Sequence, residues 1–400
     1  MSQVENYKTI LEEIFGQEIN FSKTIATNRC MGALMNSEEP SIFKNNFTER
    51  LIRLRDYFSS SEKHTKEIID TAKQIASGTA YKWAGPYSEL VALDYWIQFE
   101  DLENITFPDR GDTETYADSI AKKLGHQEID IDISLDLTTK KIYTDVKCLI
   151  PTHIELTDQI LTLLNRKIKR TDFLIGIDNL YNVDYLRTKS DLVYEIQSGT
   201  LIKELEKCIN EEIRHYTHTL RSGEKASFRI SYPTPGKNNV LMTMREMNPY
   251  MLANDYKYKI LDYYNKFLIT EPSLITFVLN PWFNSEMMLS DDMFLDVTLR
   301  SLSRRIFIEL TRDHTDLSVL FPHLSGKGIT ISDVACKVSG IIFIKDNSIK
   351  KTGSEMNDVH IYLNPNATNR ILSSRDFDIL NWSPAKNRPP FIDDFADDNY

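Results

Sequence analysis

At 400 residues, with 41% hydrophobic and 10% aromatic side chains, the composition is that of a folded protein and excludes a low-complexity chain. The 47 basic and 58 acidic residues give a formal net charge of −11, which excludes a protein that coats nucleic acid through bulk positive charge. No apolar run reaches membrane-span length, residues 1–20 lack a signal peptide's basic start and apolar core, and the 4 cysteines form no CxxC pair, so the expectation is a cytoplasmic protein with reduced thiols and no membrane or zinc module.

Residues 1–80 read as a helical N-terminal region. Val4, Tyr7, Ile10, Leu11, Ile14 and Phe15 repeat at helical spacing, and Gly16 stops that run. Ser41 reads as the N-cap of a second helix bearing Phe43, Phe47, Leu51, Leu54 and Phe58; a third, with Ile68, Ile69, Ala72, Ile75 and Ala76, ends at Gly78. No recognition-helix signature is visible, which suits a helical cap or interaction region. Trp83-Ala84-Gly85-Pro86 then breaks the chain, and Tyr87-Ser88-Glu89-Leu90 opens a helical run to Phe99, with Pro86 suited to its first turn. Glu89 shares a face with Leu93 and Trp96, where a carboxylate is costly unless paired or metal-bound. The plain alternative is a helix-start glutamate favoured by the dipole. Asp94, on another face, is the fallback for the same role. Residues 101–127 read as a polar loop.

From Ile129 to Leu137 apolar residues take the odd positions while Glu128, Asp130, Asp132, Ser134 and Asp136 take the even ones, the period of a half-buried strand. Thr138-Thr139 separates this run from a second, in which Ile142, Thr144, Val146 and Cys148 share one face and Tyr143, Asp145 and Lys147 the other. If the two threonines are the whole loop, Leu135 faces Ile142 and Ile131 faces Val146. A slip of one residue would separate the two apolar faces. The same register sets Asp132 opposite Asp145 and Asp130 opposite Lys147. Directly opposed aspartates repel, and a bound divalent cation is one way to hold them together. Cys148, on the apolar face, reads as core rather than nucleophile.

A helix then runs to about Arg170, where Arg166, Lys167, Lys169 and Arg170 form either a solvated, dipole-favoured end or a phosphate-backbone patch. Residues 172–178 read as a core strand, and a long helix with Leu201, Leu205, Cys208, Ile209 and Ile213 follows. His215 and His218 near its end lack a third ligand and make a weak metal site. Strands at 226–232 and 240–245 read as an inserted hairpin, so 180–272 is expected to be an elaboration of the main fold. Residues 273–280 have the continuous apolar character of an internal strand, a helix covers 291–311, and 338–345 and 359–363 are further strands. The tail, 389–400, alternates acidic and aromatic residues after a diproline. It is either a disordered end or a short peptide that docks a protein partner or the chain's own basic groove.

The order Asp132, then Asp145-Val146-Lys147, with Glu89 on an upstream helix, resembles the PD-(D/E)xK nuclease superfamily, and the spacing between the aspartates is similar to its RecB-type branch. No proline precedes Asp132, and Asp130 is a rival to Asp132 as ligand. The resemblance implies an α/β, restriction-endonuclease-like fold over residues 81–388, with a mixed central sheet flanked by helices. It further implies an Mg²⁺-dependent endonuclease acting on DNA, with Mn²⁺ able to substitute, in restriction or phage defence. In that scheme Asp132, Asp145 and the Val146 carbonyl hold the ion, Glu89 ligates a second ion or a metal-bound water, and Lys147 orients the nucleophile. Cleavage of both strands would call for a homodimer or higher oligomer. The competing readings are a non-catalytic DNA-binding or scaffold protein that keeps the fold, and the same chemistry on RNA.

Overall fold

The computed structural model describes residues 3–21, 29–35, 41–77, 82–98, 104–107, 133–136, 141–168, 172–177, 185–232, 248–282, 284, 289–371 and 391–392. Its main body is a mixed α/β arrangement in which helices cover both faces of a central mixed sheet. The described strands are β1 (Asn104–Thr106), β2 (Ile133–Asp136), β3 (Lys141–Cys148), β4 (Leu174–Ile177), β5 (His215–Thr219), β6 (Lys225–Ser231), β7 (Ser273–Leu279), β8 (Val338–Asp346), β9 (Asn357–Leu363) and β10 (Phe391–Ile392). Among the described residues the central sheet has the order β1-β2-β3-β7-β8-β9-β10. β1, β2 and β3 form an antiparallel meander, β3, β7 and β8 run parallel, and β9 is antiparallel to β8. The sheet therefore draws strands from both halves of the chain.

Five helices, α1 (Gln3–Phe15), α2 (Arg29–Met35), α3 (Ile42–Tyr57), α4 (Glu62–Ser77) and α5 (Ala84–Trp96), build the layer on one face. Gly16 ends α1 at φ +64°, a conformation that costs glycine little. The Ser41 hydroxyl caps α3 by accepting from the Lys44 amide at 3.1 Å. A polar network, buried at Arg50, Asp94, Tyr87 and Asp346, ties this layer to the end of β8. Arg50 meets Asp94 at 3.3 Å and Asp346 at 3.5 Å, Arg53 reaches Asp94 at 2.7 Å, and the Tyr87 hydroxyl donates to Asp346. Asp94 is thus committed to holding α3 against α5.

The opposite face is covered by Pro249–Tyr256, the tighter turn Lys257–Lys266, Asp292–Arg304 and Ile331–Ala335. β7 and β8, read from sequence as apolar runs, are buried along their whole length between the two layers. Gly340 in β8 has no room for a side chain: an added Cβ would lie 2.9 Å from the Tyr362 carbonyl oxygen and 3.0 Å from a Leu274 methyl.

A second unit, residues 152–232, has its own core and a separate sheet of order β4-β6-β5. The expected elaboration at 180–272 overlaps it with different limits. The helix at 152–167 and β4 belong to the small unit, whereas Tyr256, Ile260 and Leu261 pack in the main body. The helix expected to reach Ile213 stops at Asn210, where Glu212 takes φ +55°, and the two histidines lie on β5 instead. The polar stretch expected to be loop contains β1, an edge strand of three residues. The strand expected at 240–245 lies outside the described residues. Of the tail, Phe391–Ile392 pairs in parallel with β9 on the chain's own sheet; its other residues lie outside the described ones. No described helix is long and apolar enough to cross a membrane.

Asp94→Ala would leave Arg50 with a buried charge and one fewer partner, and should cost about 3–5 kcal/mol in urea unfolding. Gly340→Ala should cost about 1–3 kcal/mol through overpacking. Wild-type unfolding midpoints in both variants would contradict these packing assignments.

Candidate active site

The hairpin register is the one the periodicity requires. Ile133 pairs with Thr144, Ser134 with Tyr143, Leu135 with Ile142 and Asp136 with Lys141. On β3, Ile142, Val146 and Cys148 point into the core shared with α1–α5. Alternation sends Tyr143, Asp145 and Lys147 to the other face. β7 confirms this side: Asp145 pairs with Ile275 and Lys147 with Phe277, both members of the opposite core.

Asp145 is only 2% exposed, and two ammonium groups approach it. Lys147 Nζ lies 2.7 Å from Oδ2 and Lys266 Nζ 3.6 Å from Oδ1. Lys147 Nζ also donates to the Val146 carbonyl oxygen at 3.0 Å and stands 5.6 Å from the Tyr263 ring centroid. A second ion pair, Lys259 Nζ to Glu155 Oε2 at 2.7 Å, lies close enough to influence Tyr263 and Cys148. Burial first, then the negative charges of Glu155, Asp262 and Asp145, push the Tyr263 phenol well above its ordinary value. It is a neutral hydroxyl at any physiological pH. The lysine side chains are 24% and 20% exposed, whereas the carboxylate they approach is buried.

Asp145, Val146 and Lys147 are therefore brought together, whereas Asp130 and Asp132 lie outside the described residues. Glu89 is half-buried on α5, which packs against the Ile142–Val146–Cys148 side of β3. Its helix and the Asp145–Lys147 pair thus occupy opposite faces of the sheet. Arg166 and Lys167 are exposed at the end of helix Thr152–Lys167, in the small unit; Lys169 and Arg170 lie outside the described residues. His218 is engaged by Glu195 and by the Tyr216 hydroxyl at 2.9 Å.

Lys266, Lys259, Glu155 and Tyr263 are additions that no spacing in the sequence ties to the hairpin. One faint signal existed: Lys259, 2% exposed, stands immediately before the buried pair Ile260 and Leu261. Among the described residues no group of three or more His, Cys, Asp or Glu side chains is set to hold a metal. The donors present on β3, a carboxylate and a backbone carbonyl, are oxygen ligands of the kind a hard divalent cation takes. The second expected carboxylate, Asp132, is one residue beyond the described ladder. No protein-family model, no curated protein and no solved structure matches the chain.

Burial pushes the Cys148 thiol up to about 12, with hydrogen bonding to Ser88, the charge of Lys259 and the Asn280 side-chain amide opposing it only in part. An unfolded thiol loses its proton near its ordinary value of about 9 while the folded one keeps it. The unfolded state then binds fewer protons, so stability falls as pH climbs from about 9 toward 12. Urea midpoints should decline over that window, and iodoacetamide at about pH 8 should spare Cys148 in the native chain and label it in the unfolded one. Native labelling as fast as unfolded labelling would contradict its place in the core.

Proposed function

We propose that the chain is a metal-dependent nuclease that hydrolyses DNA phosphodiester bonds at the Asp145–Lys147 face of β3. The observation that supports the reading most is the hairpin register from Ile133–Thr144 to Asp136–Lys141: it puts Asp145 and Lys147 on one face, and it is the register in which the sequence would set Asp132 opposite Asp145. The central mixed sheet flanked by helices is the architecture this reading calls for.

Asp145 and the Val146 carbonyl, with Asp132 as the proposed second carboxylate, would hold Mg²⁺ or Mn²⁺. Such an ion supplies Lewis-acid polarisation of the phosphate and a more acidic bound water. The residues of this chain divide the rest of the work. Lys147, packed against Tyr263 and tied to Asp145, holds its ammonium where it can orient the attacking water and offset charge growing on the phosphate. The deep position of Asp145 keeps water from screening that charge. Glu89 stands on α5, which packs on the other face of β3.

DNA as substrate, restriction or phage defence as setting, and a dimer for duplex cleavage follow from the resemblance to PD-(D/E)xK nucleases. The scaffold reading draws on one observation: Asp145 is already compensated by two lysines, as a structural ion pair would be.

Cleavage of supercoiled, linear and single-stranded DNA, and of RNA, in Mg²⁺ or Mn²⁺ separates these readings. Asp145→Asn and Lys147→Ala should each lower metal-dependent DNA cleavage by roughly 10²-fold or more, assayed at a temperature where circular dichroism shows both variants folded. Undiminished cleavage in both variants would sink the assignment. Cleavage of RNA alone would move the chemistry to that substrate. A wild-type protein that neither cleaves nor binds Mn²⁺ would leave the scaffold.

A further inference from the structure

We propose that Lys266 is a second phosphate-contacting residue of the Asp145 site, acting with Lys147 as a two-lysine seat for a backbone phosphate of the nucleic acid. This rests on the nuclease reading of that site.

Lys266 ends the turn Lys257–Lys266, and its backbone is pinned on both sides. Ile260 and Leu261 are buried upstream; Phe267 and Leu268 are buried downstream, each about 1% exposed. The Leu268 amide donates to the Ser273 hydroxyl at 2.8 Å, and the Ser273 amide in turn donates to the Ser339 hydroxyl at 3.0 Å. Leu268 also packs on Tyr143 of β3. The segment is thereby docked on the sheet beside the strand that bears Asp145.

The two ammonium groups converge on one carboxylate from different elements, Lys147 from β3 and Lys266 from the turn before β7. Both lysine side chains are partly exposed and Asp145 is not, so a molecule approaching this face meets the lysines before the carboxylate. A phosphate offers oxygens to each ammonium and makes charge-assisted hydrogen bonds to both. Lysine acts here as a point charge without a preferred fork geometry, which suits a backbone phosphate read without regard to sequence. Lys259 has no such role: it is 2% exposed and held by Glu155.

The test is binding of a fluorescently labelled oligonucleotide to the full chain in chelator, where cleavage is suppressed, at several salt concentrations. Lys266→Gln should weaken binding on the order of tenfold. It should also flatten the dependence of log K on log salt by about 0.9 for duplex or about 0.7 for single-stranded DNA. Lys266→Arg, which keeps the charge, should retain most of the affinity. Lys351→Gln, exposed on the α3 side of the sheet, should change neither quantity. A Lys266→Gln protein that melts like wild type and keeps its affinity and salt slope overturns the inference, as does a wild type that binds no oligonucleotide. Inorganic phosphate should displace the oligonucleotide only at far higher concentration than unlabelled DNA does; equal potency would make the seat one for a free anion and overturn the nucleic-acid assignment. Wild-type cleavage left intact by Lys266→Gln would remove Lys266 and spare the nuclease reading. Salt-dependent loss of binding in Lys266→Gln without cleavage by wild type would do the reverse.

Discussion

The arrangement depends on the two different edges of β3. On one edge β3 pairs antiparallel with β2 through a short connection, and the apolar alternation of both strands fixes the register. On the other it pairs in parallel with β7. A parallel neighbour cannot be reached by a tight turn, so the chain must leave the sheet and return by a crossover. That crossover contains the whole small unit of residues 152–232 and then the segment that returns to β7. The return path explains how Lys259, Tyr263 and Lys266, more than a hundred positions from the hairpin, come to lie against the face of Asp145 and Lys147.

Two charge clusters with buried carboxylates occupy the two sides of this sheet. Around Arg50 the guanidinium, Asp94, Asp346 and Tyr87 are all buried, with Arg53 reaching Asp94 from the surface, and the cluster joins α3, α5 and β8. Removing either charge there strands the other in a medium that solvates it poorly. Around Asp145 the carboxylate is equally deep, and the two lysines that approach it are partly exposed.

Much of the fold was legible in the sequence because periodicity and local capping decide it. Gly16 and Ser41 mark helix ends by their own conformational preferences, the hairpin register follows from alternation, and β7 and β8 show as continuous apolar runs. The face on which Glu89 would lie was not legible. α5 is buried nearly all round, at Tyr87, Ser88, Leu90 through Asp94 and Trp96, so it has no polar side to declare which way it faces. β5 was missed because His215, Tyr216, Thr217, His218 and Thr219 carry no apolar alternation, and β1 because three residues are too few for a period. Lys266 was beyond reach because its approach to Asp145 is a product of tertiary docking alone.

The central claim is that the Asp145 face gathers carboxylate oxygens for a divalent cation, with Asp132 as the partner across the hairpin. The most direct measurement is Mn²⁺ binding followed by electron paramagnetic resonance in wild type, Asp145→Asn, Asp132→Asn and Glu89→Gln. The account predicts that wild type and Glu89→Gln bind alike and that both aspartate variants bind far more weakly. Equal binding by all four proteins, or loss on changing Glu89 alone, would contradict it.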